Sequence, residues 1–234
     1  MRRRSACLAG LATIVAGPAS FSGQVLAQGT PSGTSPPGGA SSPAGRLWFD
    51  PTQLPSFTGV VDRYLLNPDG KTDRLLFREG PQVIFPDNMA AEMMSAVPVG
   101  RSIVVYGIRA RRAPVITMLA WAVDGSAPAH FVERPTWTFP VFHAADEALE
   151  ASGTVRAPLL TAQGDQIGVI LDGGVVIRVP LAAATALGDR LAVGKTVAAT
   201  GRGASLPERG KALDAERIGE APEKLEPLPA GRPQ

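Results

Sequence analysis

Arg109-Ala-Arg-Arg112 places three guanidinium groups within four residues. A guanidinium stays charged at any physiological pH and offers five donors in a planar fork, so such a cluster suits an anion: phosphate, sulfate or carboxylate. Four further polar residues belong with it as candidate ligand-binding residues: Arg74, Arg78, Gln82 and Tyr106. The competing reading is a solvated loop whose arginines meet Asp62, Asp69 or Asp73. Residues 57–124 carry eight basic and seven acidic groups, so no uniformly positive groove is written into the stretch.

Other chemistry is thinner. Cys7 is the only cysteine, which removes disulfides, thiolate metal sites and cysteine catalysis from the rest of the chain. His130 and His143 are the only histidines, and no carboxylates flank them at ligand spacing, so no metal is expected. No G-x-S-x-G elbow, Ser/His/Asp arrangement or G-x-x-x-x-G-K-[ST] loop occurs, so neither a cofactor nor an enzymatic activity is expected.

Residues 1–27 have the layout of a Sec-type secretory signal peptide. Arg2 to Arg4 form a charged start, Leu8 to Ala19 an apolar run, and Val25-Leu26-Ala27 a small-residue cleavage site. The protein is therefore expected in the periplasm or outside the cell, with no integral span once the signal is removed. The alternative is a retained anchor helix. The chain has 23 basic and 21 acidic residues; without Arg2, Arg3 and Arg4 this becomes 20 against 21, a net charge of −1. The nominal pI near 9.0 thus overstates any general hold on nucleic acid or an acidic membrane. Residues 28–46 (QGTPSGTSPPGGASSPAGR) are Gly, Ser, Pro and Thr with little to bury, the composition of a flexible linker.

Past that linker the chain repeats itself at an offset of 94 residues. Eleven identities fall between Gly59/Gly153 and Gly107/Gly201, including Gly70/Gly164, Gly80/Gly174, Pro86/Pro180 and Val99-Gly100/Val193-Gly194. Six of the eleven are the glycines and the proline that fix turns, where chance identity seldom lands. The best-kept stretch is LLFREGPQVIFP, Leu75 to Pro86, which returns as VILDGGVVIRVP, Val169 to Pro180. Two copies are too few for a solenoid, so the pattern denotes tandem domains.

Each copy reads strand-strand-strand-helix-strand-strand. In the first, alternation gives strands over Phe57–Leu66, Asp73–Arg78, Gln82–Phe85, Ser102–Arg109 and Val115–Val123, with a turn at Asn67-Pro68-Asp69-Gly70. A helix follows Pro86, capped by Asp87 or Asn88, with Met89, Met93 and Val97 on one face; Ala183, Leu187 and Leu191 take those places in the second copy. That order in about seventy residues is the order of the OB-fold, a five-stranded Greek-key barrel. The chain resembles exported bacterial proteins built from tandem OB-type modules. The resemblance rests on Gly59-x-Val61, Pro68-x-Gly70, the Leu75–Pro86 hairpin, Val99-Gly100 and Gly107; the second copy has Ala162 where the first has Pro68.

The expected fold is therefore all-β with one short helix per repeat: two tandem OB-fold-like five-stranded Greek-key barrels. The expected domains are residues 47–125 and 151–221, separated by an aromatic segment, 126–150, and followed by a disordered Pro-rich tail, 222–234. Trp137 and its neighbours in the segment should lie against one or both barrels. OB-folds bind across the second and third strands, flanked by the loops after strands 1 and 4. That face is where Arg74, Arg78, Gln82, Tyr106, Arg109, Arg111 and Arg112 would point outward. The implied function is a non-enzymatic binding or scaffolding protein of the cell envelope, its partner an envelope protein or an anionic polymer. The alternative is an oligonucleotide- or anionic-oligosaccharide-binding protein using the first copy. Nucleic acid is the less favoured ligand because single strands need aromatic platforms. The first copy offers Tyr106 and Tyr64, and nothing from Ala151 onward is aromatic.

Overall fold

A computed structural model of the chain describes residues 50–132, Ala145 and residues 147–229. The expected signal peptide, linker and retained-anchor alternative lie outside the described residues, as do Trp137, Phe139, Phe142 and His143.

The duplication is realised as two closed five-stranded barrels. In the first, β1 (Ser56–Leu66), β2 (Thr72–Phe77) and β3 (Gln82–Ile84) form a meander. Helix α1 (Ala90–Ala96) follows, then β4 (Ser102–Arg109) and β5 (Val115–Ala122). Strand β1 pairs with both β2 and β4, β4 pairs with β5, and a parallel β3–β5 pairing closes the barrel. A two-residue strand, β6 (His130–Phe131), is added to β5. The second barrel repeats this as β7 (Glu147–Leu160), β8 (Gln166–Leu171), β9 (Val176–Arg178), α2 (Leu181–Leu187), β10 (Thr196–Leu206) and β11 (Gly210–Gly219). Parallel β9–β11 pairing closes it, and β12 (Glu226–Pro227) is added to β11.

The repeat extends to irregularities. Strand β1 slips register between Val61 and Arg63 on β2, and β7 slips between Val155 and Ala157 on β8. Another bulge sits at Gly107 on β4 and at Gly201 on β10. There the partner strand comes so close that a Cβ would run into the carbonyl of Thr117 or of Asp214, so only glycine fits. On the last strand the offset becomes 97, since Arg109 pairs with Ile116 and its counterpart Gly203 with Leu213. The β10–β11 hairpin is three residues longer than its counterpart and turns sharply at Glu208, which takes φ 65°.

Helical spacing is fulfilled in both copies. Met89, Met93 and Val97 are buried in the first core; Ala183, Leu187 and Leu191 are buried in the second. The second core is built from smaller side chains. Phe77, Phe85, Met89 and Trp121 correspond to Leu171, Val179, Ala183 and Ile218.

Three expectations need correction. No side chain caps the first helix: Asp87 forms an ion pair with Lys71 (2.7 Å), and the turn begins on Pro86. The second barrel starts within the expected aromatic segment, because β7 extends back to Glu147 to pair with the longer β10. The tail does not leave the fold at Ala221: β12 pairs with β11, and Leu228 packs on the second core.

Candidate functional site

Strand alternation turns Leu75 and Val83 into the first core and leaves Leu76, Arg74 and Gln82 on the outside; in β1, Val61 faces the core, and the register slips at Val61/Arg63 and Leu65/Leu66 bring both Leu65 and Leu66 to the outside. An outward leucine row is stable only when covered. The second barrel covers it, using its own corresponding row. Leu65, Leu66 and Leu76 pack in one cluster with Leu159, Ile170, Val176, Ala204 and Ala212. At the offset of 94, Leu65 corresponds to Leu159 and Leu76 to Ile170, so like positions meet.

The loops reciprocate. Gly70, after β1, abuts the Ala204 methyl of the second barrel; a Cβ on Gly70 would lie 3.3 Å from it. Gly164, the counterpart after β7, abuts Ala110 and Ala113 of the first barrel. The two barrels therefore meet through the same face in an approximately two-fold arrangement. That face includes the second strand and the loops after the first and fourth strands, where an OB-type barrel otherwise holds a ligand.

Arg74 and Gln82 are consumed by this packing, which corrects the expectation that they face outward to a ligand. Both are buried, Arg74 at 8% exposure and Gln82 at 1%. Gln82 Nε2 donates to the Pro158 carbonyl (2.5 Å), and its Oε1 accepts from Arg74 Nη1 (2.8 Å). The same Nη1 donates to the Leu160 carbonyl (2.5 Å). These side chains satisfy backbone carbonyls of β7 at the seam, each net bond being worth about 1 kcal/mol, more where charge is involved. The second barrel has Gly168 and Val176 at the corresponding positions, so polarity breaks the two-fold.

More ionisable groups lie alongside. Arg178 is 5% exposed and grips Asp214 with Nε and Nη2, at 2.5 and 2.6 Å. Burial pushes the Asp73 carboxyl above its usual range, against the pull of Arg74 and a hydrogen bond from Asn67 Nδ2 at 2.9 Å. Burial also raises Asp69, with Arg178 opposing the shift and Asp214 and Asp73 adding to it. Asp69 Oδ1 has no hydrogen-bond partner among the described residues. Burial lowers the Arg74 pKa, which Asp73 partly offsets.

Arg109, Arg111 and Arg112 are placed differently. All three are exposed, Arg109 at the end of β4 and Arg111 and Arg112 on the loop that follows it, around an open concavity of about 520 Å³. Ala110 and Ala113, interleaved with them, turn toward Leu160 and Ala162 of the second barrel. Backbone bonds from Ala110 N to Val115 O and from Val115 N to Ala113 O, both 2.9 Å, tighten the loop. The small residues thus dock and the long ones project. Among the described residues none of the three arginines forms an ion pair. Of the three aspartates they could have met, Asp62 is engaged with Arg63 and Arg156 and Asp73 with Asn67, while Asp69 lies among Arg178, Asp214 and Asp73.

The remaining candidates stand apart. Arg78 is exposed on the turn after β2. Tyr106 is half-buried on β4, in register with Ser56 and Ala120. Tyr64 is no stacking platform. Its ring packs edge-on against Phe85 and its hydroxyl donates to the Val97 carbonyl at 2.7 Å, closing the end of α1. His130 stacks on Trp121 with ring centroids 4.2 Å apart, and its Nδ1 lies 2.7 Å from a Glu92 carboxylate oxygen. Among the described residues no group of three or more acidic or histidine side chains could hold a metal ion, and no helix is long and apolar enough to cross a membrane.

The pairing of faces did leave a trace in the sequence. Leu65-Leu66, Leu75-Leu76, Leu159-Leu160 and Val169-Ile170 are apolar doublets, the mark of strands covered on both sides. Arg178 and Asp214, which nothing in the local pattern singled out, meet only because β9 and β11 run side by side. The chain matches no protein-family model, and no curated protein matches it in sequence.

Proposed function

We propose that this chain is an exported, non-enzymatic binding or scaffolding protein of the bacterial cell envelope, and that it takes an anionic polymer at the Arg109–Arg112 loop. One observation carries the reading. Three exposed arginines without an ion pair among the described residues surround a concavity, on a loop pinned by Ala110 and Ala113. The rest of the OB-type face is occupied by the other barrel. Export rests on the composition of residues 1–27.

An acidic polysaccharide suits this loop better than a single-stranded nucleic acid. A stacked base gains about 1–3 kcal/mol from an aromatic platform, and Tyr106, half-buried on β4, is not among the residues that line the concavity. The shallow concavity also fits a polymer segment better than an enclosed small molecule.

The test is a salt-titrated binding measurement on residues 28–234, with an acidic polysaccharide and single-stranded DNA side by side. Saturable binding of the polysaccharide is expected, weakening with salt and lost in the Arg109→Ala/Arg111→Ala/Arg112→Ala triple variant. No binding at low salt, or binding untouched by the triple substitution, would falsify the loop assignment. Stronger binding of DNA would transfer the site to nucleic acid. Turnover in a broad hydrolase screen would overturn the non-enzymatic reading.

A further inference from the structure

Barrel two carries an open cavity of about 500 Å³ where β8, β9 and β11 approach the start of α2. Ile167, Val179, Leu181 and Ala215 give it apolar walls, and the Arg178–Asp214 pair forms its polar end. The size and the mix of apolar walls with a few convergent polar groups are those of small-molecule sites, which span about 300–1,000 Å³.

Comparison of the two repeats shows what made this cavity. The first barrel has Asp73 in place of Ile167, Phe85 in place of Val179, Asp87 in place of Leu181 and Met118 in place of Ala215. Two bulky side chains have become small and two carboxylates have become apolar. Arg178 and Asp214 take the places of Ile84 and Thr117, so the charged pair is peculiar to the second barrel as well. Stability alone does not account for Leu181, which is 44% exposed at a position where the other copy keeps an aspartate paired with Lys71.

The polar end selects the head group. Arg178 and Asp214 already neutralise each other through two short bonds. A charged head of either sign would have to compete with one partner for the other; the Asp214 side chain is a third exposed, but Arg178 is buried, and unpairing a buried charge is costly. An uncharged head with hydroxyl or amide groups can bond to the edge of the pair without breaking it.

We propose that barrel two binds a small amphiphile here, its aliphatic body along Ile167, Val179 and Leu181 and its uncharged, hydrogen-bonding head at the Arg178–Asp214 pair. The site is separate from the arginine loop and does not depend on that assignment.

The test titrates the full chain with octyl glucoside below its micelle concentration, with octanoate and octylamine as charged probes of equal chain length. Binding is followed by calorimetry and by amide shifts. The expected result is saturable binding of octyl glucoside, with shifts centred on residues 167, 181 and 215, and at least tenfold weaker binding of both charged probes. Leu181→Asp and Ile167→Asp, which install the first barrel's residues, should each weaken it at least tenfold. Asp87→Leu in the first barrel should leave it unchanged. Leu181 is exposed, so its variant keeps the fold and decides the matter even if Ile167→Asp does not. Absence of saturable binding, equal binding of the charged probes, or full affinity in Leu181→Asp each overturns the proposal.

Discussion

Asp62 and Arg156 occupy the same place in the two repeats, and their side chains touch: Arg156 Nη2 lies 2.9 Å from Asp62 Oδ2. Each is the extra residue of the bulge in the first strand of its barrel. The pair therefore lies close to the pseudo-two-fold axis that relates the barrels. Arg63 shares the same carboxylate oxygen at 2.9 Å and donates through Nη1 to the Asp172 carbonyl across the seam. A double-mutant cycle on Asp62 and Arg156 should give a coupling of about 1 kcal/mol, the upper range for a half-exposed pair. The exchange Asp62→Arg/Arg156→Asp should recover much of what each single substitution loses. Urea melts of the four proteins check this, and a coupling indistinguishable from zero would remove the pair from the interface.

Arg74 and Gln82 hold the seam from its buried side. Gln82→Leu leaves the Pro158 carbonyl without its donor, and a stability loss of about 1–3 kcal/mol is expected. Arg74→Met should cost more, about 3 kcal/mol, because it also strips Asp73 of the cation beside it. Both losses should appear with the barrels still folded, as a lowered urea midpoint. Unchanged midpoints would contradict the bonding described.

Acid should tighten this side of the seam. Burial raises Asp73 and Asp69 in the fold, so the folded chain binds protons more readily there than the unfolded chain does. Stability from these groups then grows as pH falls through their raised values and levels off near the unfolded carboxylate value of about 3.9. Asp62 works in the opposite sense. Burial alone would raise it, but Arg63 and Arg156 outweigh that and leave it lowered, so its contribution is lost only as pH falls through that lowered value. Asp73→Asn should flatten the gain on mild acidification and Asp62→Asn should not. Chemical melts between neutral pH and about 4.5 measure both, and an unaltered slope in Asp73→Asn would count against the burial argument.

Gly164 sets the position of the arginine loop. It holds φ at +98°, and a Cβ there would come within 2.6 Å of the Ala113 methyl. Gly164→Val should destabilise the chain by about 1–3 kcal/mol through backbone strain, and should weaken the proposed polymer binding at Arg109–Arg112 without removing any arginine. Wild-type affinity in a folded Gly164→Val protein would mean that the loop needs no support from the second barrel.

The stacked His130 also admits a simple test. His130→Ala removes a parallel ring from Trp121 and the contact to Glu92, and a loss of about 0.5–1.5 kcal/mol is expected from the stack. Thermal melts would report it.

Much of the fold was legible because turns repeat more faithfully than faces. Gly70, Gly80, Gly100 and Gly107 mark where each strand ends or bends, and the structure places Gly164, Gly174, Gly194 and Gly201 at the same points. The candidate site was legible only in part. Period-two alternation separates the inside of one barrel from its outside, and it placed Arg74 and Gln82 outside. What lies against that outside depends on contacts about 80 residues away in the chain, between Gln82 and Pro158 for instance, which no local pattern encodes. The loop arginines escaped this ambiguity because they project from a turn.

The polar asymmetry of the seam is one that two copies joined in a single chain allow. In a symmetric pair of separate chains every substitution occurs twice, so an arginine buried on one side must also be buried on the other. Joining the copies into one chain lifts that requirement. Arg74 can then reach the Leu160 carbonyl while Gly168, its counterpart, carries no side chain to bury. Within one chain the two halves are free to differ, so one barrel carries the clasp and the other the backbone carbonyls it bonds.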